Sequence, residues 1–196
     1  MPLALRSLVL ASGSPYRRQL LVRLGLAFEC AVPEVDETPQ AGETFERTAV
    51  RLAELKARAV APRFPDALII GSDQVASCAG QCMGKPGNHE NALKQLRHMS
   101  GRTARFDTAV CVLDSASGTL AARSVTCEVK FRDLSDALIE EYLRREQPYD
   151  CAGSAKSEGL GIALIAAMRT DDPTSLIGLP LIALTELLAE LGQPVI

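Results

Sequence analysis

Ala67-Leu68-Ile69-Ile70-Gly71-Ser72-Asp73-Gln74 is the stretch from which the fold of this chain is read. Four apolar residues run into a Gly-Ser break, the pattern of a short buried strand ending in Ser72-Asp73-Gln74. Upstream, Leu8-Val-Leu-Ala11 repeats the pattern and runs into Ser12-Gly13. Ser14-Pro15 then opens a helix, with Ser as N-cap and Pro in the first turn. Its apolar face is Leu20, Leu21 and Leu24, and Gly25 stops it. A short strand over 28–32 leads into the acidic turn Glu34-Val-Asp-Glu-Thr-Pro39. Residues 44–60 carry Phe45, Ala49, Leu52, Leu55 and Ala59 at helical spacing.

Downstream, a helix is expected over 88–99, ending at Ser100-Gly101. Residues 103–131 are rich in Val, Thr and Cys around Ser115-Ala-Ser-Gly118 and read as a long hairpin. A helix over 134–145, a strand candidate over 161–168 and a helix over 180–191 complete the order. The last packs through Leu181, Leu184, Leu187, Leu188 and Leu191. Strands and helices alternate early, and an antiparallel hairpin enters later. The expectation is an α/β fold: a mixed sheet with flanking helices, in two lobes around a cleft.

At 196 residues the chain suits one domain of two closely joined lobes. It is 47% hydrophobic and 23% charged, an ordinary globular mix. A net charge of −3 gives no reason to expect nucleic acid or an anionic membrane as partner. Phosphate chemistry would therefore need a local basic cluster. Arg6 interrupts the apolar N-terminal run, too soon for a signal peptide, and no segment approaches the ~20 apolar residues of a membrane span. Six cysteines at 30, 78, 82, 111, 127 and 151 lack the spacing of a zinc site. They read as free thiols in a reducing cytoplasm. His89 and His98 read as surface residues of the polar helix.

Five constellations can carry chemistry. Ser12-Gly-Ser-Pro-Tyr-Arg-Arg18 places two arginines in the first turn of a helix, where the dipole is already positive. With hydroxyls, a glycine and free N–H groups, that end makes a phosphate cradle. Asp73, after a buried strand, can hold a divalent metal or take a proton from water. Lys85 stands between Gly84 and Pro86. Asp36-Glu37 are adjacent carboxylates of which extended backbone turns one toward a given site. Ala152-Gly-Ser-Ala-Lys-Ser-Glu-Gly-Leu-Gly161 is a small-residue loop carrying Lys156 and Glu158. Lys56 follows Leu55 at the edge of the helix's apolar face, where a solvated lysine is the default reading.

Taken together these segments resemble the Maf family of nucleotide pyrophosphatases, nearly end to end. The resemblance rests on residues 10–18, Val35-Asp-Glu37, Arg51-Leu-Ala-Glu-Leu-Lys-Ala57, Ile70-Gly-Ser-Asp-Gln-Val75 and Gly84-Lys-Pro86. It continues through Leu96-Arg-His-Met-Ser-Gly101, Cys151-Ala-Gly-Ser154, Ser157-Glu-Gly159 and Gly178-Leu-Pro-Leu181. It implies a single Maf-like (inosine triphosphatase-like) domain over 1–196, with an elongated mixed sheet and two lobes around a central cleft. It further implies that Asp73 is the proton acceptor and that Arg17, Lys56 and Lys85, with Ser12 and Ser14, contact the triphosphate. Glu37 and Asp73 would meet a divalent cation, magnesium or manganese. A homodimer is compatible with the resemblance.

Many members of the family read Ser-Pro-Arg-Arg, Ala-Asp-Thr and Gln-Gly where this chain has Tyr16, Gln74 and Glu158. That trio resembles the subfamily acting on 7-methyl-GTP, which usually has Trp at the first position. The commoner pattern belongs to dTTP/UTP pyrophosphatases. A cationic methylated purine suits an aromatic face and a carboxylate. The alternatives are a dTTP/UTP pyrophosphatase or a broader house-cleaning enzyme for modified nucleotides, and a non-catalytic nucleotide-binding regulator of cell division. Asp73 with three basic partners favours turnover over sensing.

Overall fold

The computed structural model describes residues 6–196. Residues 1–5, where the signal-peptide reading begins, lie outside the described residues. The chain opens with strand β1 (Ser7–Leu10), helix α1 (Pro15–Val22) and the two-residue strand β2 (Glu29–Cys30). Helix α2 (Phe45–Val60) leads through a short 3-10 turn into strand β3 (Ala67–Cys78). Then follow β4 (Gln81–Cys82), α3 (His89–Met99), β5 (Thr103–Asp114) and β6 (Leu120–Phe131). Helix α4 (Asp136–Glu146), strand β7 (Ile165–Arg169) and helix α5 (Leu181–Glu190) complete the chain.

Among the described residues the strands form one seven-stranded sheet in the order β2-β1-β3-β5-β6-β7, with β4 on β3. β1 lies parallel to both β2 and β3, whereas β4 on β3 and β7 on β6 are antiparallel. The sheet is therefore mixed and carries helices, as expected. Two compact units divide the chain. One takes the stretch up to Asp73, Thr108–Val125 and Asp172–Ile196, and the other takes Gln74–Asp107 and Thr126–Asp171.

In the first unit, alternation along β3 turns its two faces to different helices. Leu68 and Ile70 join Leu8, Leu10, Leu20, Leu21, Leu184 and Leu188 in a cluster with α1 and α5. Gly71 faces α2: a Cβ built there would lie 2.1 Å from the Ala53 carbonyl oxygen and 3.0 Å from the Ala57 Cβ. Only glycine admits so close a helix. The N-terminus of α5 is capped from a distance by buried Asp172, which accepts from the Ile182 and Ala183 N–H groups at 2.7 and 3.3 Å.

In the second unit, Arg97 of α3 pairs with Asp136 of α4 at 2.8 Å. Gly153, at φ +71°, sits against the Phe106 ring. Buried Asp107 is held by Arg105 and by the Thr126 hydroxyl.

Several boundaries differ from expectation. β3 does not end at residues 72–74 but runs on to Cys78, because residues 75–78 are as buried as those before them. The strand turns back through Ala79 and Gly80, both at positive φ, into β4. That is the geometry of a two-residue hairpin, without the Asn-Gly signature that would announce it. α1 stops at Val22, before Gly25. The candidate strand over 161–168 begins only at Ile165, since Leu160–Leu164 form a 3-10 turn.

Candidate functional site

The first unit builds a charged cluster around one buried lysine. Lys56, on α2, is 7% exposed, and its Nζ lies 2.5 Å from Asp73 Oδ1 and 2.7 Å from Glu37 Oε1. Asp73 is also 7% exposed and stands within β3, not at its end. The solvated reading of Lys56 is thus overturned. The cause is the Gly71 approach: it draws α2 onto the strand, so the residue between Leu55 and Ala57 lands on the carboxylate two positions beyond the glycine. A buried carboxylate with no cation would be costly, and Lys56 supplies one.

The neighbouring carboxylates divide as extended backbone requires. Glu37 turns to Lys56, while Asp36 folds back to accept from the Thr38 N–H at 2.9 Å. Burial lowers the Arg17 guanidinium from its ordinary value, against the raising effect of the Asp73 and Glu37 charges. Arg17 therefore lies within electrostatic reach of both carboxylates. It stays protonated at any physiological pH.

Ser14 is the N-cap of α1 and its hydroxyl accepts from the Arg17 N–H at 3.4 Å. Ser14 in turn donates its N–H to Ser12 Oγ at 3.1 Å, and Arg17 Nη1 stands 3.5 Å from the same oxygen. The guanidinium is aimed from its other side by Nε, which donates to the Gly178 carbonyl at 2.8 Å. Gly178 adopts φ +118°, which favours glycine. Ser72 Oγ donates to the Ala109 carbonyl at 2.8 Å with the Gly178 carbonyl at 3.0 Å. Neither Ser72 nor Gly178 is singled out by sequence as a site residue; the signal for Ser72 is its place next to Asp73, and for Gly178 its place at the head of Gly178-Leu-Pro-Leu181.

Ser12, Ser14, Arg17, Glu37, Lys56 and Asp73 are thus all held in the first unit, with Tyr16 partly buried in the first turn of α1. Gln74, Lys85 and Glu158 belong to the second unit. Lys85 is exposed on a pinned loop: the Gly84 carbonyl accepts from Gln95 Nε2 at 2.9 Å, and the Pro86 carbonyl from Asn91 Nδ2 at 3.0 Å. Glu158 is exposed, whereas its neighbour Lys156 pairs with Glu146 at 3.0 Å. His89, its side chain 43% exposed, is engaged by Tyr149 and Glu140, and His98 by the Cys78 carbonyl, so neither histidine is buried and each has a partner of its own.

No group of three or more His, Cys, Asp or Glu side chains converges as a metal site among the described residues. Asp73 and Glu37 nevertheless share one cation and offer hard oxygen ligands. Two carboxylates suit magnesium or manganese, which keep waters and take substrate phosphate oxygens for the rest of their shell. No helix among the described residues is long and apolar enough to cross a membrane.

Comparison with known proteins gives a consistent neighbourhood. The family model described as Maf-like protein matches residues 7–191. The 7-methyl-GTP pyrophosphatase of Cupriavidus pinatubonensis is 59% identical over 95% of this chain and 94% of its own length. The proteins of that name from Paraburkholderia xenovorans and Methylobacillus flagellatus are likewise 59% identical, each over 96% of this chain and over 94% and 98% of their own lengths. The solved Ham1 protein of Staphylococcus aureus aligns at TM-score 0.45 and 18% identity, over 65% of this chain and 72% of that one. That match is too distant to carry weight.

Proposed function

The chain belongs to the Maf family, and from that premise we propose that it hydrolyses 7-methyl-GTP to 7-methyl-GMP and pyrophosphate. The observation that carries this reading is the buried Lys56 with Asp73 and Glu37 on one ammonium, within electrostatic reach of Arg17. It joins a proton acceptor to the cations that a triphosphate requires.

In the reaction, water attacks the α-phosphorus and the bond from that atom to the α–β bridging oxygen breaks. Asp73 accepts the proton of the attacking water, a contribution of about 10²–10⁴-fold for a positioned base. Pyrophosphate leaves with several negative charges. Arg17, Lys56 and Lys85 offset that growing charge, the kind of electrostatic assistance that dominates phosphoryl transfer. Ser12 and Ser14 line the phosphate loop at the N-terminus of α1. Asp73 and Glu37 would hold a magnesium or manganese ion, which when bound supplies further neutralisation of the phosphates.

Tyr16 offers a face for the cationic 7-methylguanine ring, and Glu158 a carboxylate for its edge, with Gln74 the third specificity residue. Six free cysteines, Cys30 and Cys82 among them exposed, suit a reducing cytoplasm. The test is pyrophosphate release from a panel of nucleoside triphosphates with magnesium present. We expect kcat/KM for 7-methyl-GTP to exceed that for dTTP and UTP, and Glu158→Gln to narrow the gap by about tenfold. Equal or faster turnover of dTTP or UTP by the unaltered protein would reject the substrate assignment.

A further inference from the structure

Glu37 reaches Lys56 from an exposed segment with thin packing of its own. The Glu37 side chain is 60% exposed. Beside it lies a hollow of about 440 Å³ lined by Val35, Asp36, Thr38, Pro39, Arg51 and Leu55. Apolar contacts therefore do little to fix the path of residues 33–42, and hydrogen bonds must do more.

Those bonds converge on Arg51 of α2, whose side chain is 19% exposed. Arg51 Nη2 donates to the Thr38 carbonyl at 3.2 Å, one residue past Glu37. Its Nε and Nη2 donate to the two carboxylate oxygens of Glu43 at 2.6 and 2.8 Å. Glu43 also accepts from the Gln40 N–H and from the Thr48 hydroxyl, both at 3.1 Å. The Arg51 fork holds the Glu43 carboxyl down at about 2, so the pair is fully charged near neutrality. Upstream, Arg63 Nη2 donates to the Val32 carbonyl at 3.2 Å. The segment is tied on both sides of Glu37.

We propose that Arg51 is a positioning residue for the hydrolysis: by gripping the Thr38 carbonyl and Glu43, it sets the backbone path that lets the Glu37 carboxylate reach Lys56. Its catalytic consequence rests on the pyrophosphatase reading above; its geometric content does not. Lysine cannot replace it, since one ammonium lacks the planar fork that serves a carboxylate and a carbonyl together.

The test is a double-mutant cycle with Arg51→Met and Glu37→Gln, read as kcat/KM for 7-methyl-GTP. It is paired with hydrogen exchange of the full chain. If Arg51 acts through Glu37, each single change lowers kcat/KM by about tenfold and the double change lowers it little further. Amides of residues 36–42 in Arg51→Met exchange about tenfold faster, while those of β3 are unaltered. Arg51→Lys, which keeps the charge, gives the same result and guards against a variant that fails to fold. Additive losses of about a hundredfold, or segment exchange unaltered by loss of Arg51, would overturn the proposal. Should the unaltered protein cleave no nucleotide, the pyrophosphatase reading falls, and the exchange comparison still decides whether Arg51 sets the path of Glu37.

Discussion

Asp73 is the residue on which the chemistry turns, and its surroundings say how it should respond to change. Its carboxylate shares Lys56 with Glu37, so removing its charge leaves the ammonium still paired. Asp73→Asn preserves shape and the Lys56–Glu37 contact while removing the proton acceptor. We expect nucleotide affinity within a few-fold of the parent and kcat lower by about 10²–10⁴-fold. Isothermal titration with a non-hydrolysable analogue and steady-state pyrophosphate release measure the two quantities separately. A near-normal kcat would remove Asp73 from the role. The part Lys56 plays was hidden from the sequence for a physical reason. It flanks the apolar face of α2, and its partners lie 17 and 19 positions away on other segments. Nothing in its own neighbourhood distinguishes it from a solvated lysine.

Between elements, the decisive contact is that of α2 on β3. Gly71 leaves the Ala53 carbonyl 2.1 Å from where a Cβ would be, and backbone cannot yield as a flexible side chain would. Gly71→Ala must push α2 away, at a cost of about 1–3 kcal/mol or more. For a chain of this size that corresponds to a fall in Tm of roughly 2–12 °C. Because the same displacement lifts Lys56 from Asp73, kcat should fall as well. Calorimetry alongside turnover checks both, and an unchanged Tm would mean the helix seat is looser than described.

The start of α1 was legible because Ser14 followed by Pro15 is N-cap chemistry, and the starts read from spacing at 44 and 88 fall on Thr44 and Asn88, the residues that cap α2 and α3. The extension of β3 to Cys78 was not legible. Residues 74–78, Gln-Val-Ala-Ser-Cys, alternate too weakly, and Ala79 at φ +48° takes a turn position that sequence would give to Asn or Gly. The site suffered from this, since Asp73 was expected at a strand tip and stands mid-strand. Arg17 and Glu37, the other charged members of the cluster, were nonetheless found, through the helix-start cradle and the paired carboxylates.

At the scale of the whole molecule, two interior thiols set an alkaline limit on stability. Burial raises the Cys111 thiol from 9.0 to about 12 and the Cys127 thiol to about 11. In each case the neutral form is the one the fold accommodates. Below pH 9 both states of the protein hold these protons, and the thiols cost nothing. Above it the unfolded chain loses them first, so stability falls by up to about 1.4 kcal/mol per pH unit for each thiol until the folded-state values are reached. Denaturant unfolding between pH 8 and 11 should show this slope, and Cys111→Ala with Cys127→Ala should flatten it. An equal slope in the double variant would assign the alkaline loss to other groups.

The bond from Arg17 to the Gly178 carbonyl joins positions 161 residues apart. Ribosomes deliver the arginine first and its carbonyl partner only 161 residues later. During synthesis the phosphate cradle thus waits, unaimed, until Gly178 has emerged. A product cut short before Gly178 would lack both the brace on that arginine and the α5 leucines that pack against β3, so premature termination should yield a chain that neither completes this core nor grips triphosphates.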